Sequence, residues 1–199
     1  MRTLHCLLYS HPWVVHCLEQ GGFDALDDAV LVELGTPTLA AVLGASLGDR
    51  PGITALLQGS VDLATLAEDT RGLPAPVIFA PQPALPVSLL SAATGLLATA
   101  SGPFDRAILL VNVIEVPSLV AALAPVDDFS CLWDLADPPS NALPKALEAL
   151  AQTGHLQTDQ WCGLRDYSHP QRQVSDLNAR RYAFHHALAI YPVLAGVSA

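Results

Sequence analysis

Lysine is almost absent from this chain of 199 residues, and so are the loops that usually hold phosphate groups. The single lysine, Lys145, lies far along the chain at a position predicted to be helical. No segment fits the pattern G-x-x-x-x-G-K-[ST], and no G-x-G-x-x-G follows a predicted strand. A phosphate cradle needs glycines for close backbone approach and usually a lysine beside the phosphates. The sequence therefore argues against nucleotide chemistry of the usual kind.

Charged residues are also scarce, at 14% of the chain, and the net charge is −10. Proteins bind nucleic acid largely through basic groups that displace counterions from phosphates, so we expect no nucleic acid partner. The same shortage of basic groups argues against a direct hold on anionic lipid. Hydrophobic residues make up 51% of the chain, which favours an exposed apolar face and a protein partner.

Long apolar runs are missing as well. No stretch supplies the roughly 20 consecutive apolar residues of a transmembrane helix, so we expect no direct membrane insertion. The N-terminal apolar segment meets His11-Pro12 without a small-residue cleavage site, so it is predicted to be a strand and not a signal peptide.

The cysteines are Cys6, Cys17, Cys131 and Cys162. We expect them to be reduced in a cytoplasmic protein.

Apolar segments of strand type alternate with segments of helix type along the chain. Strands are predicted over Arg2–Ser10, Ala29–Leu34, Val77–Ala80, Ala107–Val113, Ser130–Leu135 and Gln157–Leu164. Helices are predicted over Pro12–Gln20, Thr38–Leu43, Gly52–Gln58, from Asp62 to before Gly72, and over Val87–Ala100, Pro117–Leu123, Asn141–Thr153 and Ser175–Ile190. The alternation predicts an α/β fold, a single domain over residues 1–199 with a mostly parallel sheet and helices on both faces.

Three polar residues fall near the carboxyl ends of two predicted strands, where open α/β sheets place their sites. They are Glu33, Asn112 and Glu115. One interpretation is a remodelled pocket in which Glu33 or Glu115 acts as an acid or base. The other is that these side chains cap helices or accept hydrogen bonds from loop amides.

Histidine and cysteine residues raise two further hypotheses. The pairs His5-Cys6 and His16-Cys17 could suggest zinc, but neighbouring residues of a strand point to opposite faces, so His5 and Cys6 cannot both reach one ion. We therefore expect no metal. Cys131, His155 and Cys162 could form a nucleophile and its base, but no catalytic signature surrounds either cysteine. We predict no catalytic residue among them.

Four segments occur in an order that resembles a known family. They are Val30–Leu39 (VLVELGTPTL), Arg50–Gly59 (RPGITALLQG), Val77–Pro83 (VIFAPQP) and Phe104–Asn112 (FDRAILLVN). Across the region from Val30 to about Asp134, which is roughly half of the chain, the sequence resembles the MinD/ParA-type P-loop ATPases. Within that group it is most similar to the cytoplasmic domain of the bacterial tyrosine autokinases of polysaccharide export. The resemblance implies a P-loop NTPase-like fold.

The sequence departs from the family pattern at the motifs that bind nucleotide and magnesium. Ser10–Trp13 stands where the Walker A loop would be, without glycine or lysine. Glu33 matches the second acidic position of the family's D-x-D motif, but Leu31 replaces the first acid and Gly35 replaces the arginine. The Walker B aspartate, which helps to hold magnesium, corresponds to Leu110. The resemblance therefore implies a degenerate member that keeps the fold, binds no cofactor and has lost the ATPase and kinase chemistry.

These observations predict a non-catalytic pseudo-ATPase that acts as a protein-binding scaffold or regulator. The resemblance suggests a partner in exopolysaccharide export or cell-envelope assembly, such as a membrane component of the export machinery. In active relatives the nucleotide edge also forms the dimer interface, so a homodimer through that edge is a further expectation. The alternative is an enzyme with a remodelled active site at the carboxyl edge of the sheet.

Overall fold

The fold is organised around one parallel sheet. A computed structural model describes residues 2–9, 28–37, 52–59, 62–67, 75–81, 84–100, 102–132 and 142–152. Its strands are β1 (Thr3–Tyr9), β2 (Ala29–Glu33), β3 (Val77–Ile78), β4 (Arg106–Asn112) and β5 (Asp128–Leu132). All the paired strands run parallel, in the order β3-β2-β4-β1-β5. The prediction of an α/β fold with a parallel sheet is confirmed.

The central strand of the sheet, β4, is a nearly uniform apolar run. In the register, Leu109 of β4 lies beside Cys6 of β1 and Val32 of β2, and all three are fully buried. On the opposite face Leu7, Leu110 and their neighbours are equally buried. A parallel strand that is covered on both faces has no need for polar alternation, which explains the uninterrupted apolar sequence of β4.

In the described segments, five helices and one 3-10 turn accompany the strands. They are α1 (Thr54–Leu57), α2 (Leu63–Leu66), α3 (Val87–Thr99), α4 (Val116–Leu119), the 3-10 segment Val120–Leu123 and α5 (Ala142–Gln152). Their buried side chains form one apolar cluster with Leu4, Leu8, Val111 and the other residues on that face of the sheet. Within it the buried hydroxyl of Thr94 donates a hydrogen bond of 2.7 Å to the carbonyl of Ala122. This bond fixes α3 against the 3-10 segment.

The observed elements correct several predicted boundaries. The helix that Asp62 caps through Thr65 N ends at Leu66, because the backbone of Ala67 is extended, with a ψ of 126°. The predicted helix over residues 117–123 divides into α4 and the 3-10 segment, and β5 begins at Asp128. The segments Pro12–Gln20, Thr38–Leu43, Gln157–Leu164 and Ser175–Ile190 lie outside the described residues. That residues 1–199 form a single domain stays a prediction.

Charged residues are placed at the amino edge of the sheet. Arg2 is buried and donates hydrogen bonds to the carbonyls of Phe104 (2.7 Å) and Leu97 (3.0 Å). Burial lowers the pKa of Arg2, and the nearby Asp105 charge acts in the opposite direction. Arg106 forms an ion pair with Asp28, with Nη2 2.8 Å from Oδ1. These contacts join the start of β1 and β2 to the segment that leads into β4.

In the described part of the chain, no helix has both the length and the apolar character needed to cross a membrane.

Candidate functional site

The carboxyl edge of the sheet brings together the polar residues that the sequence singles out. Glu33 is the last residue of β2 and Asn112 the last residue of β4, and Glu115 follows in the turn after β4. In open parallel sheets ligands usually bind in the crevice outside this edge. The structure therefore places all three predicted residues where a site of this fold would lie.

Glu33 connects β2 to the chain beyond β3. Its side chain is almost completely buried, at 1% exposure, and its Oε2 accepts a hydrogen bond of 3.1 Å from the amide of Ala80. This contact also explains why β3 is shorter than the predicted Val77–Ala80. The Ala80 amide donates its hydrogen bond to the Glu33 carboxylate, and the pairing between β3 and β2 ends at Ile78.

Leu110 occupies the position that the family resemblance assigns to the Walker B aspartate. It is fully buried in β4, and its Cα partners are Leu7 of β1 and Glu33 of β2. Its backbone carbonyl accepts a hydrogen bond from Leu34 N at 3.1 Å. Magnesium requires oxygen ligands, and an aliphatic side chain provides none. The residue at this position therefore does not fit a magnesium ion.

Asn112 shapes the turn that leads from β4 into α4. Its Oδ1 accepts a hydrogen bond from Ile114 N at 3.1 Å, and its carbonyl accepts one from Glu115 N at 2.9 Å. The carbonyl of Glu115 in turn accepts bonds from the amide and hydroxyl of Ser118, in the first turn of α4. The backbone of Glu115 is thereby held from both sides, and its side chain projects from a well-defined position.

The carboxylate of Glu115 bridges to the turn after β2. Its Oε1 accepts hydrogen bonds from the amide of Thr36, at 2.9 Å, and from the Thr36 hydroxyl. Gly35 lies against the same carboxylate, with a φ of +89°, and a Cβ at this position would be 2.5 Å from Glu115 Oε2. Only glycine meets both conditions. We call the group of Gly35, Thr36 and Glu115 the Glu115 clasp.

The observed contacts are those expected if the carboxylates accept hydrogen bonds from loop amides. Glu33 joins β2 to the β3 side of the sheet, and Glu115 joins β2 to the turn after β4. The acid or base role of a remodelled pocket remains a prediction. Gly35 and Thr36 also belong to this site, although they are not among the residues predicted for it. A glycine followed by Thr-Pro, directly after a buried strand, is a turn signal that could have indicated them.

A large apolar side chain stands beside the Glu115 clasp. Ile114 is 71% exposed, the highest value among the large hydrophobic residues of the described segments. Its backbone is fixed by the hydrogen bond to Asn112 described above. A rigidly held, exposed aliphatic side chain at this edge suits contact with another macromolecule better than contact with a small polar ligand.

The histidine and cysteine hypotheses receive only partial structural information. Cys6 points into the apolar cluster, whereas His5 belongs to the opposite face of β1. Across the segments that the structure describes, no three His, Cys, Asp or Glu side chains are grouped to hold a metal. The pair His16-Cys17, together with His155 and Cys162, lies outside those segments, as does the side chain of Cys131.

Comparison with known proteins gives similarity at the level of structure alone. No family model matches the chain, and no curated protein matches it. Cobyrinic acid a,c-diamide synthase from Mycobacterium smegmatis superposes with a TM-score of 0.59 and 16% identity, over 96% of this chain and 82% of that one. The VpsO kinase domain gives 0.55 and 20%, over 82% and 83%. The MinD cell division protein of Aquifex aeolicus gives 0.50 and 14%, over 90% and 78%.

The chain has the fold of the MinD/ParA-type P-loop proteins. At identities of 20% or less, these similar structures establish the fold alone. The fold expected from the family resemblance is thus confirmed. On this fold, Glu33, Leu110 and the Glu115 clasp lie at or near the carboxyl edge of the sheet.

Proposed function

We propose that this protein is a non-catalytic pseudo-ATPase with the MinD/ParA-type fold, and that it acts as a scaffold or regulator by binding another protein. The observation that carries the proposal is Leu110. A fully buried leucine occupies the position where the family resemblance expects a magnesium ligand, between Leu7 and Glu33 in the register of the sheet. A leucine has no side-chain oxygen, so the magnesium-assisted step of an ATPase would lack one of the ligands of its metal ion.

The hydrogen bonds of the two carboxylates support a binding role over acid and base chemistry. Glu33 accepts a bond from Ala80 N, and Glu115 accepts two bonds from Thr36. Accepting such bonds fixes the orientation of a carboxylate, which suits a structural role better than proton transfer to a substrate. The exposed Ile114 next to Glu115 offers an apolar anchor for a partner at the same edge.

Nucleotide binding is the first test of this proposal. The purified protein is titrated calorimetrically with Mg-ATP and with Mg-ADP, and the VpsO kinase domain serves as a control in the same buffer. We expect no heat of binding at high micromolar protein. Micromolar affinity for either nucleotide would overturn the proposal, and the chain would then be assayed as an ATPase or kinase.

The partner that we propose is a cytoplasmic part of a membrane component in exopolysaccharide export or cell-envelope assembly. The support for this pathway is the family resemblance of the sequence. The genes beside the one for this chain provide a direct check, because glycosyltransferase genes and an outer-membrane exporter gene are expected there. Their absence would remove the support for this pathway and leave the binding role to be tested by itself.

The contact surface can be tested once a partner has been purified. Ile114→Glu places a charge on the exposed anchor and should weaken binding roughly tenfold or more, as expected for a central apolar contact. Ala151→Glu is the control, because it adds the same charge at an exposed position of α5, outside both the carboxyl edge and α3. Equal effects of the two variants would contradict a site at the carboxyl edge.

A further inference from the structure

One face of α3 is exposed and contains no charged residue. Leu89 and Leu96 are 42% and 40% exposed, and with Ile114 they complete the set of large exposed hydrophobic residues in the described segments. The remaining exposed positions of this face are Ser88, Ala92, Gly95 and Thr99. At 100° per residue these six positions span about 120° of the helix, with Ala92 at the centre. We call them the α3 face.

Gly95 has no explanation within the described segments. A glycine in the middle of a helix weakens it, and proteins keep such a residue when another group must approach the backbone. A Cβ added at Gly95 would meet no atom within 4 Å, so no described neighbour needs the space. A partner that packs closely on the helix backbone would need it.

The order of residues on the α3 face is matched about Ala92. If two copies of α3 pack antiparallel around Ala92, Leu89 of one copy lies beside Leu96 of the other. Gly95 then lies beside Ser88 of the other copy. Large residues meet large residues along one flank, and small residues meet along the other, where the backbones can approach. A surface that is self-complementary in this way is the requirement for a two-fold dimer.

The charge distribution restricts a second copy to an uncharged face such as this one. Each chain carries a net charge of −10, so two copies repel one another over most of their surface. The run from Leu73 to Phe104, which includes all of α3, contains no charged residue. An uncharged apolar face suits an uncharged apolar face opposite it, and the α3 face of another copy provides one, with only Thr99 outside the matched pairs.

We propose that the α3 face is a homodimer interface, formed by two antiparallel copies of α3 that are centred on Ala92. This inference is independent of the proposed function, because it involves a helix face and not the carboxyl edge with its Glu115 clasp. One helix face is smaller than a standard interface, so the dimer is expected to be weak and reversible.

Sedimentation velocity over a concentration series tests the dimer. The wild-type protein should shift from monomer to dimer as its concentration rises to high micromolar values. Leu89→Glu should lower the association constant roughly tenfold or more, since it places a charge in an apolar contact. Ala151→Glu adds the same charge at an exposed position of α5 and should leave association unchanged. Circular dichroism melts of both variants check that each one folds.

Cysteine cross-linking tests the register. Ala92→Cys brings two identical positions together, so mild oxidation should give a covalent dimer above the background of the wild-type cysteines. Ser88→Cys is the control, because two copies of residue 88 would be about 12 Å apart along the antiparallel pair. Three results would overturn the proposal: a wild-type monomer at every concentration, unchanged association in Leu89→Glu, or equal cross-linking of the two cysteine variants. In the first case the α3 face is left for a different protein.

Discussion

Replacing Gly35 with alanine is the most demanding test of the Glu115 clasp. The backbone at Gly35 has a φ of +89°, and a residue with a Cβ in the left-handed region costs about 1–2 kcal/mol. The new Cβ would also lie 2.5 Å from Glu115 Oε2, so the carboxylate must move away. Its bonds to Thr36 are then lost, at roughly 1–3 kcal/mol for hydrogen bonds to a charged group in a half-exposed setting.

The two costs can be separated by a double-mutant cycle. In the wild-type background Gly35→Ala should lower the free energy of unfolding by about 2–5 kcal/mol, the sum of both costs. In a Glu115→Ala background the clash and the hydrogen bonds are already absent, so the same change should lower it by only about 1–2 kcal/mol. The four proteins are compared by urea unfolding, followed by circular dichroism with linear extrapolation to water.

Gly59 provides a matched control for the backbone cost. It has a φ of +63°, but a Cβ at this position would meet no atom within 4 Å. Gly59→Ala should therefore cost about 1–2 kcal/mol, and this cost should be the same with and without Glu115. If Gly35→Ala is no more destabilising than Gly59→Ala, or if its cost is the same in both backgrounds, the carboxylate does not hold the turn as described.

Three further predictions concern other parts of the fold. Thr94→Val should lower the free energy of unfolding by about 1–3 kcal/mol, whereas Thr94→Ser should not, because the valine leaves the buried carbonyl of Ala122 without its hydrogen bond. Gly95→Ala should raise the free energy of unfolding by roughly 0.5–1 kcal/mol in denaturant titrations at low protein concentration, since the added methyl group meets nothing. The hydrogen bond from Arg106 holds the pKa of Asp28 below its ordinary value of 3.8, so the pair stabilises the fold above that pH and this stabilisation is lost as the pH falls through the lowered pKa. Asp28→Asn should therefore flatten the acid limb of a stability-against-pH curve, and an unchanged limb would refute the role of the pair.

The strands could be predicted from the sequence because burial on both faces leaves an uninterrupted apolar run. β4 was predicted over Ala107–Val113 and is observed over Arg106–Asn112, a shift of one residue at each end. β3 was predicted too long, because Glu33 captures the Ala80 amide that would otherwise have continued the ladder. A side chain 47 positions away in sequence thus ended a strand whose local sequence would continue it.

In the candidate site, too, the positions of the residues could be predicted from local sequence, whereas the contacts between residues far apart in sequence could not. Residue type and position at strand ends were sufficient to place Glu33, Asn112 and Glu115 at the carboxyl edge. The partners of these side chains could not be predicted, because the contact between Glu115 and Thr36 joins residues 79 positions apart. The family pattern indicates only that Gly35 replaces an arginine. Its left-handed backbone and its contact with Glu115 give it a structural role of its own in the turn.

The position of β1 has a consequence for synthesis of the protein on the ribosome. Of the strands described in this sheet it emerges first, yet it lies inside the sheet, between β4 and β5. Thr3 pairs with Arg106, so the ladder partner of β1 is translated about 100 residues later, or roughly 5–20 s at ordinary rates of synthesis. Throughout that interval a strand of apolar residues has neither of its neighbours. We expect the nascent chain to need a chaperone during this period, and a chain released before Leu132 to aggregate.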